Sequence, residues 1–527
     1  MILLAVGCGI YRDYGLSWDE EIQRLSLGKV VYDYVTGANT HALLEGPTKY
    51  YGPAFEFLLV ALEKLRGETD TREIYFMRHL VTFLVFYISL VFFYMIGKLR
   101  FGSWKPALLG CLFLVLSPRI FADAFYNSKD LPFLSVFIIA LYTLLRFHER
   151  PSPGRATAHA LVCAVLIDIR IVGVIVPMIS VGLLILDVAL ARSGKLPTIP
   201  RPAGALLFLG LLAGFTVALW PTLWEGPWHH FSQAFKEMSR YPWDGRVLYL
   251  GASIKGNELP WHYIPVWMAI TTPVVYSLLF VAGLTDLGQA LVRDPLRCYR
   301  ERKADLVFAL AFFTPLAAVI FFHSVVYDAW RHLFFIYPPA LLIALSGAVA
   351  LQKMLRAWGG GSAGRLVRLG AGGAIALALG GTLVGMVRSH PHQNVYFNVL
   401  AHSASPDLKD QFEMDYWGLS YRAALEYILD HDAAEVITLG VLNYPGYLNA
   451  KILKPEQRER LRFTSRLADA DYFVSNYRGH NQEYPFRSEF FSISVDGLKI
   501  MVVYRLKDGA QGARNDGFAP RVRMAVS

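Results

Sequence analysis

Two adjacent carboxylates, Asp19 and Glu20, follow Ser17-Trp18 close behind a short apolar N-terminus. An ionised carboxylate at such a place could serve as a general base or a metal ligand. The spacing Ser17-x-x-Glu20 is also that of a capping box, in which Ser17 caps a helix and Glu20 reaches back to it. That arrangement puts Asp19 in the first helical turn, where the partial positive charge of the helix end attracts an anion. A second concentration of charge, Arg119, Asp123, Lys129 and Asp130, lies between Ser117 and Pro132. Asp130 also reads as a helix cap with Pro132 in the first turn, and Arg119 and Lys129 as cations reaching lipid phosphates. The third is Tyr327-Asp328-Ala329-Trp330-Arg331-His332, which puts an arginine and a histidine at the start of an apolar run. The planar fork of Arg331 suits bidentate contact with a phosphate, and anchoring at a membrane interface is its plainer role.

Composition says what must position these groups. Hydrophobic residues make up 54% of the 527 and charged ones only 18%, with a mean hydropathy of +0.36, outside the range of soluble globular chains. Apolar stretches long enough to cross roughly 30 Å of hydrocarbon are expected near 76–97, 105–121, 131–147, 156–169, 171–190, 203–220, 264–287, 305–323, 333–351 and 369–387. Met1 to Ile10 is apolar but too short to span. It lacks a basic leader and a cleavage site, and is expected to be the end of a first helix whose start is missing, giving about eleven spans in all. Lys and Arg cluster in alternate loops, which puts 11–75, 118–130, 221–263, 324–332 and everything after about 388 on the outer side. The formal charge of +9 is therefore topogenic, and no basic domain with interleaved aromatics points to nucleic acid.

The outer segments hold the candidates, because ionisable groups are costly at the bilayer centre. Tyr50-Tyr51-Gly52-Pro53 precedes an apolar run, Phe55 to Leu62, expected as an interfacial helix with Tyr50 and Tyr51 in the headgroup belt. His229 and His230 point to different faces of a helix, which fits a surface amphipathic helix better than a shared metal. Asp168 and Arg170 fall where two short spans meet and would form an ion pair if that join is buried, with a relay as the alternative. The four cysteines avoid the large outer segments and imply no disulfide framework. After about 388 the character changes. Short strands at 434–442 and 472–475, a hairpin of 490–495 and 498–506 about Asp496-Gly497, and helices at 420–430 and 455–462 predict a small α/β domain. The expected organisation is thus a membrane domain over 1–388, an extracytoplasmic α/β domain over 389–508 and a disordered tail over 509–527.

Asp19-Glu20, Tyr50-Tyr51-Gly52-Pro53, Lys129-Asp130 and the span layout together resemble one family. The chain looks like a GT-C-type membrane glycosyltransferase of the protein O-mannosyltransferase-like family, glycosyltransferase family 39, a group that also includes the aminoarabinose transferases acting on lipid A. The resemblance covers roughly residues 11 to 388. Unlike the eukaryotic protein mannosyltransferases, the chain has no long β-trefoil-like insertion between spans, which counts against a protein acceptor.

The resemblance implies an inverting transfer from a polyprenyl-phosphate sugar to an acceptor hydroxyl on a glycan, lipid or protein. Asp19 would be the general base, with Glu20 beside it. Arg331, with Lys129 or Arg119, would offset charge on the leaving phosphate, and His332, Tyr50 and Tyr51 would line the substrate site. Asp123 or Asp130 would orient the sugar or, with Asp19 and Glu20, hold a divalent cation. The metal stays open, because no ligand spacing is dedicated to one. A transporter or flippase for a lipid-linked substrate is the rival from another class, although no inverted repeat is found and the charges favour loops over spans. A noncatalytic assembly subunit is a third reading. The compact loops point to a bacterial inner membrane.

Overall fold

A computed structural model describes residues 1–39, 42–46, 48–196, 202–239, 241–357 and 361–507. The expected tail, 509–527, lies outside the described residues. The protein is a multi-pass helical membrane protein with a small sheet near its C-terminus. Among the described residues, seven helices are long and apolar enough to cross a membrane: Thr71–Phe101, Asp130–Glu149, Ile171–Arg192, Val274–Arg293, Lys303–Phe321, Arg331–Ala357 and Gly364–Arg388. An eighth span arises if Trp104–Val115 and Pro118–Tyr126, bent by 69° at their junction, count as one.

About eleven spans were expected, and local breaks account for much of the difference. The single span expected at 105–121 turns sharply at Ser117-Pro118, where proline disfavours helical geometry in the residue before it. The one expected at 264–287 is split by Pro273 into Tyr263–Thr271 and Val274–Arg293. Pro153–Ile169, of 17 residues, packs against the apolar helix Ala203–Leu219, which is shorter than the seven spanning helices, and Ile2–Ile10 has nine residues. In the middle of the bundle, Val274–Arg293 and Arg331–Ala357 touch backbone to backbone. A Cβ on Gly283 would lie 2.0 Å from the Ile343 carbonyl oxygen, and one on Gly347 2.0 Å from that of Leu279. Small residues are what permit such an approach between membrane helices.

The first loop is built to hold a side chain at the end of the bundle. Glu20–Ile22, a π-helical turn over Gln23–Lys29, and Val30–Val35 form one continuous helical run. Its Gly28 packs on the Ala54–Arg66 helix, with a Cβ there falling 2.9 Å from the Glu56 carbonyl oxygen. The contact is backed by a buried ion group. Arg78 pairs with Glu56 and, at 3.1 Å, with Glu63, while Arg24 reaches Glu63 at 2.9 Å and the Ser128 hydroxyl donates to Glu56 at 2.5 Å. Buried charges persist when paired and hydrogen-bonded in this way.

The C-terminal sheet has five strands in the order Leu461–Phe463, Ile437–Val441, Tyr472–Ser475, Leu498–Arg505 and Glu489–Val495. The first three are mutually parallel and the last two antiparallel additions, and the Ser420–His431 helix packs on the sheet. The hairpin turns at Asp496-Gly497, both at positive φ (49° and 81°), as the Asp-Gly signal requires. The expected helix at 455–462 ends at Glu459, and its last residues enter the edge strand Leu461–Phe463. Residues between the bundle and the sheet, including Phe397, Phe412 and Trp417, belong to the apolar core of the bundle.

Candidate active site

Arg331 is the centre of the site, and three carboxylates converge on it, Asp19 and Asp130 from distant parts of the chain and Asp328 from three residues before it. Its Nη1 lies 3.0 Å from Asp19 Oδ2 and 3.1 Å from Asp130 Oδ2. Nε and Nη2 reach Asp328 Oδ2 at 3.2 and 3.1 Å. The guanidinium stacks over Trp417 at 4.6 Å and Tyr327 at 5.1 Å. Further cations surround this core. Arg170 Nη1 is 2.8 Å from Asp130 Oδ1, and Arg478 Nη2 is 2.6 Å from Asp328 Oδ1. Asp328 and Ala329 both sit in the left-handed backbone region, φ 55° and 59°. This conformation is uncommon for residues with a Cβ, and it turns Asp328 back onto the arginine three positions on.

The three carboxylates differ in access. Asp130 and Asp328 are 1% and 4% exposed, whereas Asp19 retains 27%. Asp19 is therefore the carboxylate of the three that a substrate can touch. Of the four cations in this cluster, Lys129 makes no ion pair among the described residues. Its Nζ sits 3.6 Å above the Tyr51 ring, within electrostatic reach of Arg170, Asp19, Asp130 and Arg331. Burial, reinforced by the charge of Arg170, pulls its ammonium down to about 7. With Lys129 protonated, the cations Arg170, Arg331, Arg478 and Lys129 set against Asp19, Asp130 and Asp328 leave one positive charge over, which favours an anionic ligand.

Asp19, Lys129, Asp130 and Arg331 are thus brought together, with Tyr51 beneath Lys129. His332 adjoins them: its carbonyl accepts from Arg170 at 3.3 Å and its half-buried ring packs on Tyr327 at 4.6 Å. The other expected residues are spent elsewhere. Glu20 is buried, accepting from the Ser17 backbone N–H at 2.7 Å and lying 2.9 Å from His79 Nε2. Only this half of the capping box forms, since the Ser17 hydroxyl donates to the Tyr126 carbonyl at 3.1 Å. Asp123 is buried and accepts from Trp417, Tyr126 and Asn127 at 3.1, 3.0 and 2.8 Å. Arg119 is not at the lipid surface. It is buried between Trp267 and Phe397 and donates to the Tyr396 carbonyl at 3.0 Å. Tyr50 packs near His230, 6.2 Å between rings. The expected Asp168–Arg170 pair does not form, because Arg170 turns to Asp130 while Asp168 is buried against Gly52.

The trio Asp19, Glu20 and Asp130 does not converge into a metal site, and among the described residues no group of three or more His, Cys, Asp and Glu does so. Sequence reading missed Asp328 and Arg478 as parts of the site. Asp328 carried a local signal, a carboxylate three residues before Arg331. Arg478 carried none, lying 150 positions from its partner.

Comparison with known proteins follows the same line. Residues 51–220 match the family model described as dolichyl-phosphate-mannose-protein mannosyltransferase, just under a third of the chain. The oligosaccharyltransferase of Archaeoglobus fulgidus in its apo form superposes with a TM-score of 0.51 at 12% identity, covering 90% of this chain and 69% of that one. The chain has a GT-C fold. ArnT from Cupriavidus metallidurans is also similar to this GT-C chain. Its undecaprenyl phosphate-bound structure gives a TM-score of 0.48 at 14% identity over 97% of this chain and 99% of that one, and its apo structure 0.49 at 15% over 95% and 97%. No curated protein sequence matches.

Proposed function

We propose that this protein is an inverting membrane glycosyltransferase that moves a sugar from a polyprenyl-phosphate donor to an acceptor hydroxyl on the extracytoplasmic side of a bacterial inner membrane. The observation that carries the proposal is the pairing of one accessible carboxylate, Asp19, with an uncommitted cation, Lys129, at one end of a GT-C bundle. The family match and the lipid phosphate named for the ArnT relative support the donor class.

In the proposed reaction Asp19 takes the proton of the acceptor hydroxyl as its oxygen attacks the anomeric carbon. The bond between that carbon and the phosphate oxygen breaks, and polyprenyl phosphate leaves carrying the extra negative charge. A positioned general base is worth typically 10²- to 10⁴-fold in rate. Lys129, with Arg170 behind it, offsets charge growing on the phosphate. Arg331 is committed to three carboxylates, and its role here is to position Asp19. No step runs through a metal.

The test is turnover in membranes carrying the intact protein, with acceptor extract and a panel of labelled polyprenyl-phosphate sugars. Release of polyprenyl phosphate with one donor is expected. Silence toward every donor in a folded protein, together with movement of a lipid-linked substrate across the bilayer, would replace the proposal by a transporter.

A further inference from the structure

The helices that carry the Asp19–Arg331 site also frame a cavity at their other ends. Arg331 begins the helix Arg331–Ala357 on the site side, and Arg78 lies about two turns into Thr71–Phe101. Arg100 and Arg356 lie near their far ends, roughly 30–40 Å away at 1.5 Å per residue. There a cavity of about 970 Å³ opens between these helices and Ser362–Arg388. Its walls divide by chemistry. Leu109, Leu345 and Ile375 contribute an apolar side, while Lys105, Lys353 and Arg356 bring three cations that make no ion pair among the described residues; the lining carboxylates Asp286 and Glu301 are paired with Arg302 and Arg297. The neighbouring cations are spent by contrast. Arg100 meets Asp305 at 2.5 Å, and Arg302 meets Asp305 and Asp286 at 2.8 and 2.7 Å. The wall formed by Ser362–Arg388 is little covered, with only 6% of its apolar window buried. Gly372, which lines the cavity, has nothing within 4 Å of where a Cβ would stand.

We infer that this cavity is a binding site for an anionic membrane phospholipid, its phosphate held by Lys105, Lys353 and Arg356 and an acyl chain laid along Leu109, Leu345 and Ile375. Charge complementarity and the adjoining apolar wall specify this occupant together. A free anion would use only the cations, and a zwitterionic lipid would leave their charge uncompensated.

The test uses the full-length protein in phosphatidylcholine nanodiscs containing a minor fraction of phosphatidylglycerol, with retained phosphatidylglycerol counted by native mass spectrometry. The intact protein should retain it well above its bulk fraction. Replacing Lys105, Lys353 and Arg356 together by Gln should lower retention on the order of tenfold or more. Gly372→Phe, which fills the apolar part without touching charge, should lower it comparably, while Arg293→Gln, at the same end of the bundle but outside the cavity, should not. Thermal melting of each variant separates loss of the site from loss of the fold. Unchanged retention in either cavity variant overturns the inference, as does loss confined to the charge variant, which is diffuse surface attraction. Displacement of the lipid by millimolar inorganic phosphate overturns it too, in favour of a free-anion site.

Discussion

At the scale of single residues, Lys129 ties chemistry to pH. Its folded-state value near 7 lies below that of a solvated lysine, so the ammonium is present below pH 7 and lost above it. Affinity for the anionic donor is expected to fall as pH rises from 7 to 9 and to level off below 7. Lys129→Arg, charged throughout this range, should flatten the curve. Titration of polyprenyl-phosphate binding between pH 6 and 9 measures this, and a pH-independent affinity in the intact protein would remove Lys129 from the phosphate site. Glu20→Gln is expected to act differently. It puts a donor NH2 in place of one of the two oxygens that serve His79 and the Ser17 N–H, disturbs that buried pair of contacts and should lower the melting temperature, whereas a purely catalytic role would leave melting unchanged. Residue types in the sequence were enough to select Asp19, Lys129, Asp130 and Arg331 as candidates. They could not separate Glu20, one position from Asp19, because which of two neighbouring carboxylates turns inward depends on His79, 59 positions away.

At the scale of elements, close approach does much of the positioning. The peptide at Gly52 lies against the end of the Pro153–Ile169 helix so tightly that a Cβ would fall 1.1 Å from the Asp168 carbonyl oxygen. Gly52→Ala should therefore push Tyr51 away from Lys129 or prevent folding. The measurable result is loss of the monodisperse peak in size-exclusion chromatography, or a donor-binding defect in whatever protein remains. A normal peak with normal binding would refute the close contact. Hydropathy placed the spanning elements well because apolar length is a local property. It could not see the 69° bend at Ser117-Pro118 or the division at Pro273, since the apolar run continues through both. The Asp496-Gly497 hairpin was legible for the opposite reason, its turn being fixed by two adjacent residues. The strand Leu461–Phe463 was not, because only pairing with Ile437–Val441 makes it one.

At the scale of the whole molecule, the segment after the last span is a clamp on the first loop. Asn449 accepts from the Leu16 N–H at 2.8 Å and donates to the Leu16 carbonyl at 3.0 Å, all buried. Arg478 holds Asp328 and lies 4.7 Å from the Trp18 ring. Asn449→Ala would leave buried backbone groups unpaired, at about 1–3 kcal/mol each, and should lower both thermal stability and the rate of transfer. Glu413 gives the molecule a pH signature. Burial pushes its carboxyl up to about 8, against Arg478 and with Asp328, so the folded state holds a proton that the unfolded state releases near 4.5. Stability should fall as pH rises between about 4.5 and 8 and become flat above 8. Glu413→Gln, followed by denaturation across this range, should remove that slope. Such pairings were invisible in the sequence: Arg331 and Asp19 are 312 positions apart, and only the assembled fold makes them neighbours. The central claim rests on Asp19 as the base, and the decisive measurement is release of polyprenyl phosphate from its sugar-linked form by membranes carrying the intact protein or Asp19→Asn. Release lowered by 10²-fold or more in the variant, with its melting temperature unchanged, is the predicted result. Equal release by both proteins would contradict the assignment of Asp19 as the base.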